Sequence, residues 1–403
     1  MKIGFDISQT GRGKAGCGYF ASEMIRQLAK IGFHEEYVLY PHFGDFFFDP
    51  DMPQNCPVDG PKVHYGPRHA TVQMARQFWT ATDLELQLGG VDLVHSNNYW
   101  CPRQLRDTRL VYTLYDLSFL QEPSWTTETN REGCFQGVFS AAVAADWVVA
   151  ISQATKAHFL EVFPFFPSDR IKVIYPGSRF HPASSVGNPP AGLSKIQPGK
   201  FWLSVGTLEP RKNQDRLVEA YAAYVAAGGE PMPLVLAGGR GWLMDDFAER
   251  LDRLGIADHV IRTGYVSDDV LAWLYRNCCA HIYFSLFEGF GLPVIEGMTF
   301  GAPTIASNTT SIPEITGTAA ILLAPTDVVG LTGALLRISI DRNLRDAFSA
   351  KGRERAGAFE WERSAGQLLE LYRLALEWPK RRPEDNFDSM RTTREGWPNG
   401  RSF

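Results

Sequence analysis

An α/β fold with two doubly wound, Rossmann-like parallel sheets is what this 403-residue sequence predicts, and three observations carry the prediction. Short apolar runs alternate with amphipathic helical stretches along most of the chain, the pattern of strands buried between helical layers. In the second half, strand, glycine turn and helix follow one another four times, which is how a parallel sheet with crossover helices is written. The length exceeds what one hydrophobic core usually supports, and residues 183–199 are rich in Pro, Gly and Ser. The expected division is therefore a first domain over 1–182, a linker over 183–199, a second domain over 200–377 and a polar tail over 378–403.

Composition narrows the function. Net charge is −5 with both signs nearly balanced, which argues against nucleic acid as a partner. The six cysteines, at 17, 56, 101, 134, 278 and 279, lack metal-ligand spacing and read as reduced thiols of a cytoplasmic protein. Met1 leads straight into the apolar run Ile3 to Ile7, leaving no room for a signal peptide, and no apolar run is long enough to span a bilayer.

In the first half, strand Ile3 to Ile7 runs into Gln9-Thr-Gly-Arg-Gly-Lys-Ala-Gly-Cys-Gly18 and then a helix with Phe20, Met24, Ile25 and Leu28 on one face. Gly11 to Gly16 matches the dinucleotide spacing G-x-G-x-x-G, which would suit an NAD-dependent oxidoreductase. The context disagrees: the second strand, Tyr37 to Tyr40, ends in Pro41-His42 with no acidic residue for a ribose, and the helix is expected to start late, at Gly18. Gly16 and Gly18 read instead as backbone approaching a phosphate or sugar, the alternative being a plain flexible loop. Residues 42–61 read as a long loop, and the D-x-D triplet Asp49-Pro-Asp51 lies there, far from any strand end, so no metal site is expected. A helix over 71–88 precedes strand Asp92 to His95 and the loop Ser96 to Pro102, which reads equally as a capped turn or as a surface that stacks a sugar ring.

Strand Arg109 to Leu114 delivers Tyr115 and Asp116 to the carboxyl end of the sheet, where open α/β folds bind ligands; Asp116 could also simply cap a turn. A helix over 131–145, strand Trp147 to Ala150, a helix capped by Ser152 and strand Ile171 to Ile174 close this half. The aromatic clusters Phe46-Phe47-Phe48 and Phe163 to Pro167 read first as core or interdomain packing, with contact to a hydrophobic acceptor or, peripherally, to the inner face of a membrane as the second reading.

In the second half, strand Phe201 to Val205 leads into Gly206-Thr-Leu-Glu-Pro-Arg-Lys-Asn213, where Arg211 and Lys212 stand side by side, suited to a diphosphate or else solvated surface charge. Further strands are expected at Leu234 to Ala237, Val260 to Arg262 and His281 to Ser285. The last opens the most informative stretch, Phe284-Ser-Leu-Phe-Glu-Gly-Phe-Gly-Leu-Pro-Val-Ile-Glu296. Gly289 and Gly291 let the backbone turn, Pro293 begins a helix, and Glu288 and Glu296, with seven residues between them, bracket the amides of the helix start. An anion cradle flanked by two carboxylates fits a phosphorylated polyol.

These motifs together resemble the retaining glycosyltransferases of family 4, with the GT-B architecture of two Rossmann-like domains facing across a cleft. Glu288 to Glu296 is similar to the family's E-x7-E motif, Val205 to Asn213 to its phosphate turn, and Gly264-Tyr-Val266 to the turn against the base. Gly301 to Ser307 and Ser311 to Glu314 look like the usual continuation. The resemblance implies that Glu288 holds donor-sugar hydroxyls, that Gly289, Phe290, Gly291 and Leu292 line the donor, and that Glu296 grips the ribose. It implies that Arg211 and Lys212 bind the diphosphate, that Gly206 in the phosphate turn and Val266 in the turn against the base are also donor-binding, and that Gly16 and Gly18 cover the diphosphate from the opposite domain. Tyr115 stands before Asp116 where the family usually has His, a departure at the sugar-binding corner. The implied activity is metal-independent transfer of a hexose, foremost mannose from GDP-mannose, to a glycan or lipid-linked saccharide. No cofactor is expected beyond the nucleotide-sugar co-substrate. A UDP-glucose-type donor, or a sugar-nucleotide-binding protein without turnover, are the other readings. Acceptor, linkage and oligomeric state carry no signature in the sequence.

Overall fold

The computed structural model describes residues 1–11, 14, 16–32, 34–40, 55–67, 69, 72–99, 101–102, 105–183, 193, 196–239, 241 and 246–382. Asp49-Pro-Asp51, Phe46-Phe47-Phe48, the interior of the Gly11 to Gly16 pattern, most of the expected linker and the tail beyond Arg382 lie outside the described residues. The chain forms two compact units: Met1–Leu117 with Thr129–Tyr175 and the chain from Trp361, and Ser118–Glu128 with Pro176–Glu360. This differs from a division at 182 and 199 in two respects. The last helix, Trp361–Glu377, belongs to the first unit, and the short segment 118–128 belongs to the second.

The first unit holds seven strands: β1 Lys2–Asp6, β2 Glu36–Tyr40, β3 Val63–Tyr65, β4 Leu93–Ser96, β5 Arg109–Leu114, β6 Trp147–Ala150 and β7 Ile171–Val173. They lie in the order β3-β2-β1-β4-β5-β6-β7, all parallel, with Ile3 opposite Tyr37 on one side and Leu93 on the other. Ile3, Phe5, Leu93, Val94, Leu110 and Val111 are completely buried, as strands covered on both faces require. The edge strand β3, missing from the sequence reading, is short and exposed at His64 and Tyr65, so it carries no apolar run to betray it. The helix expected over 71–88 is two, Val72–Thr80 and Leu84–Gln87.

The first helix runs Gly16–Ile31 and so begins at Gly16, two residues before the expected start. Gly18 lies inside it, buried, and a β-carbon there would collide with the backbone carbonyl of Gln9. Its glycine is required by helix-to-loop packing. The Trp361–Glu377 helix packs its apolar face, including Trp361, Leu368 and Tyr372, into this unit, with the Phe20 and Trp361 rings 5.8 Å apart.

The second unit holds β8 Trp202–Val205, β9 Leu234–Ala237, β10 Val260–Gly264, β11 Ala280–Tyr283, β12 Thr304–Ser307 and β13 Ala320–Leu323, ordered β10-β9-β8-β11-β12-β13 and again parallel. Strands β12 and β13 were not read from the sequence as such; β12 hid inside the motif Gly301 to Ser307, and β13 is only half-buried. One core, around Trp202, Tyr221, Leu236, Ile282 and Ile305, lies on one side of the sheet, and a second, around Leu203, Val235, Trp273 and Tyr275, on the other.

Two glycines of one helix, Glu128–Ala144, separate packing from propensity. Gly133 is exposed with open space beside it, whereas a β-carbon at Gly137 would overlap the Tyr99 carbonyl. Gly133→Ala is expected to stabilise by about 0.5–1 kcal/mol. Gly137→Ala should lower the melting temperature strongly; scanning calorimetry of both variants reads the contrast.

Candidate donor-binding site

Each sheet has one point where the strand order reverses, between β1 and β4 in the first unit and between β8 and β11 in the second. At such a point the outgoing loops diverge and leave a crevice at the carboxyl ends of the strands. In the second unit the two diverging loops are 206–213 and 284–291, which carry Arg211, Lys212 and Glu288.

The two loops are bound to each other. Arg211 Nη1 donates to the Phe287 carbonyl at 2.9 Å and ion-pairs with Glu288 Oε2 at 3.1 Å, while Nη2 reaches Glu209 Oε1 at 2.8 Å. Lys212 Nζ meets Glu288 Oε1 at 2.6 Å and the Tyr283 hydroxyl at 3.0 Å. Two cations and two carboxylates thus share a nearly water-free corner. Burial by itself would raise the pKa of Glu288, but Lys212 and Arg211 outweigh it and hold the carboxyl down to about 2. Glu209, buried and quoted in the phosphate-turn motif, was given no role of its own by the sequence.

Backbone strain helps set this loop. Asn213 and Thr310 are the non-glycine residues with left-handed φ, 60° and 51°, among those described. The Asn213 amide donates to the carbonyls of Phe284 and Pro325, and Thr310 Oγ1 accepts from the Glu288 amide at 3.0 Å. Ser311 Oγ is placed to donate to the Glu288 and Phe290 carbonyls. Gly291, with φ 107°, is the N-cap of the helix Leu292–Thr299, so that helix begins at Leu292 and Pro293 is its second residue, one later than expected. A side chain at Gly291 would press on Ile312 at 2.7 Å. Gly289 and Phe290 are buried in the same loop, and Leu292 is half-buried.

Glu296 falls within that helix and is buried. Arg179 Nε lies 2.8 Å from its Oε1, and the Tyr275 hydroxyl donates to Oε2 at 3.1 Å. Burial raises the Glu296 pKa, with Arg179 opposing. Gly206, φ 152°, turns the chain out of β8 over the aliphatic stem of Lys212, and half-buried Val266 packs on the core beside the exposed Tyr265.

The remaining expected residues sit in the first unit, at its own reversal point. Tyr115 is buried and its hydroxyl lies within hydrogen-bonding distance of the Cys17 and Asn97 carbonyls, at 3.2 and 3.1 Å, so it braces the loop and the first helix turn. Asp116 lies half-buried beside it, near enough to Cys17 and Cys134 for its charge to add to the burial that pushes both thiols up to about 12. Gly16 opens the first helix, exposed. Asp6, missed in the sequence, accepts from the Ser8 and Asn97 amides, and burial lifts its pKa to about 7. A carboxylate closing a strand whose neighbours are apolar was the available signal.

Against known proteins, residues 15–178 match the model described as Glycosyltransferase Family 4 and residues 191–355 that of Glycosyl transferases group 1. The chain belongs to glycosyltransferase family 4 and is an enzyme of that class. It is 28% identical over 93% of its length to the whole of O-antigen chain mannosyltransferase B of Escherichia coli. It is 30% identical over 71% of its length to the serotype-specific mannosyltransferase WbdA of the same species, of which it spans 36%. Among solved structures, the chain matches HepE of Anabaena in complex with UDP-glucose at a TM-score of 0.69 and 20% identity, over 92% of this chain and 98% of that one. Sucrose-phosphate synthase of Thermosynechococcus elongatus also matches at 0.69, with 23% identity over 93% and 98%. Both likenesses show the fold: the two units are the two Rossmann-like halves of a GT-B glycosyltransferase. No helix among the described residues is long and apolar enough to cross a membrane.

The ion cluster predicts an acid dependence. Because the folded-state pKa of Glu288 lies below its ordinary value of 4.5, its contribution is complete above that value and is lost as pH falls toward 2. Glu288→Gln should therefore flatten the decline in melting temperature between pH 5 and 3 relative to the unsubstituted enzyme, read by thermal unfolding across that range.

Proposed function

We propose that this glycosyltransferase moves mannose from GDP-mannose onto a growing polysaccharide or lipid-linked saccharide, with retention at the anomeric carbon and without a metal ion. The observation that carries the reading is the Arg211, Lys212 and Glu288 cluster at the reversal point of the second sheet. Cleavage of the bond between anomeric carbon and phosphate builds negative charge on the leaving diphosphate. Fixed cations there stabilise the transition state more than the ground state. Arg211 and Lys212 are two such cations, held in place by carboxylates before the donor arrives.

Glu288 engages one cation on each oxygen, and a carboxylate offers about four acceptor positions, so acceptor capacity remains for donor-sugar hydroxyls. Glu296, one turn into the next helix, is assigned the ribose. Attack by the acceptor hydroxyl on the face from which the diphosphate leaves gives retention, with a leaving phosphate oxygen taking the proton. No protein nucleophile is then needed. Mannose is supported by the names of the two Escherichia coli relatives described above, each a mannosyltransferase. UDP-glucose is the second reading, because HepE was solved with that donor.

A panel of nucleotide sugars decides. GDP-mannose is expected to raise the melting temperature and to support transfer unaffected by EDTA, with an α-linked product by NMR. Stabilisation by UDP-glucose alone would replace the donor assignment, and loss of activity in EDTA would overturn metal independence. Lys212→Ala and Glu288→Ala should each lower kcat about a hundredfold or more, in line with loss of a transition-state charge contact.

A further inference from the structure

Glu296 is held by a residue that no donor motif contains. Arg179 precedes it by 117 positions, in the segment that opens the second unit. Its guanidinium faces the carboxylate with two nitrogens, Nε 2.8 Å from Oε1 and Nη2 3.4 Å from Oε2. The third nitrogen, Nη1, pairs with Asp268 Oδ1 at 3.2 Å, at the start of the helix Asp268–Asn277 that follows Gly264-Tyr-Val266. The guanidinium also lies 4.9 Å from the centre of the Phe180 ring, and Phe180 in turn packs on Phe300. An arginine fixed on one side by an aromatic face and on another by a carboxylate loses little freedom in pairing with a third group.

We propose that Arg179 is a positioning residue of the donor site, one that keeps the Glu296 carboxylate available as an acceptor for the two ribose hydroxyls. The inference rests on the assignment of Glu296 to ribose. The chemistry is specific: a protonated carboxyl has one oxygen turned into a donor, and two hydroxyls that both donate need two acceptors. Buried as it is, Glu296 would favour the protonated form, and Arg179 is the cation that opposes this.

The other titratable groups facing Glu296 cannot take over that part. Tyr275 contributes a neutral hydroxyl, since burial raises its pKa further above the usual value. His281, on β11 beside Gly297, is buried, and burial lowers its pKa to about 3, so it stays uncharged. Asp268 adds negative charge. The 3.4 Å contact of Nη2 is the longest in the set and the one a ribose hydroxyl can replace, Arg179 remaining anchored through Nε and through Asp268.

The test is the pH profile of donor KM between pH 6 and 8.5, in parallel with calorimetric binding of free GDP and UDP. Arg179→Met should leave kcat within a few-fold while donor KM rises as pH falls, by about tenfold or more at the acidic end, the direction expected once no cation opposes protonation of buried Glu296. Arg179→Lys should restore a flat profile. Glu296→Gln should raise KM by a similar factor at every pH, and adding Arg179→Met to it should introduce no pH dependence. If Arg179→Met does not fold, Arg179→Gln, which keeps donors without charge, takes its place with the same expectation.

A KM in the neutral variant that equals the wild-type value, or that rises by one factor at all pH values, overturns the role given to Arg179. An unchanged KM in Glu296→Gln overturns the ribose assignment instead, and with it the inference. Failure of the unsubstituted enzyme to bind either nucleotide would overturn both.

Discussion

Opposite charges brought together out of water at one end of a parallel sheet are what the second unit is built around. Arg211 and Lys212 leave β8, Glu288 leaves β11, and those strands are neighbours only because the strand order reverses between them. Isolated, any of these groups would be costly to bury; together they satisfy one another. The loop that carries Glu288 is held by Asn213, Thr310 and Ser311, so its geometry is set before any donor binds. On the proposed function, preorganised charge of this kind needs no rearrangement when a leaving diphosphate develops its own.

The first unit repeats the plan with other chemistry. Its reversal point gathers Asp6, Asn97 and Tyr115, whose mutual hydrogen bonds tie the carboxyl ends of β1, β4 and β5 to the start of the first helix. Polar groups dominate here where the second unit has formal charge, and buried Asp6 is held by the backbone amides of Ser8 and Asn97. Tyr115 points its hydroxyl at backbone carbonyls and so acts on loop shape.

Most of the strands and helices were legible because a parallel sheet covered on both faces writes itself as uninterrupted apolar runs. Two of the strands without a sequence signal are only partly buried, β3 with its exposed His64 and Tyr65 and β13, half-buried along its length, while fully buried β12 lies inside the motif Gly301 to Ser307. The first helix starts earlier than its glycines suggest because Gly18, which reads locally as loop, packs against the Gln9 carbonyl, so its glycine is a consequence of close approach inside a helix.

Local order along the chain was enough to determine the alternation of elements, the glycine turn and helix start from Gly289 to Pro293, and the pairing of adjacent basic residues in the turn after β8, since each depends on neighbours within a few positions. Only the folded molecule decided which of these meet. The link between Arg211 and Glu288 spans 77 positions, that between Arg179 and Glu296 spans 117, and the last helix returns to the first unit. Contacts of that range arise from sheet order and buried charge, and neither leaves a periodic trace in the sequence.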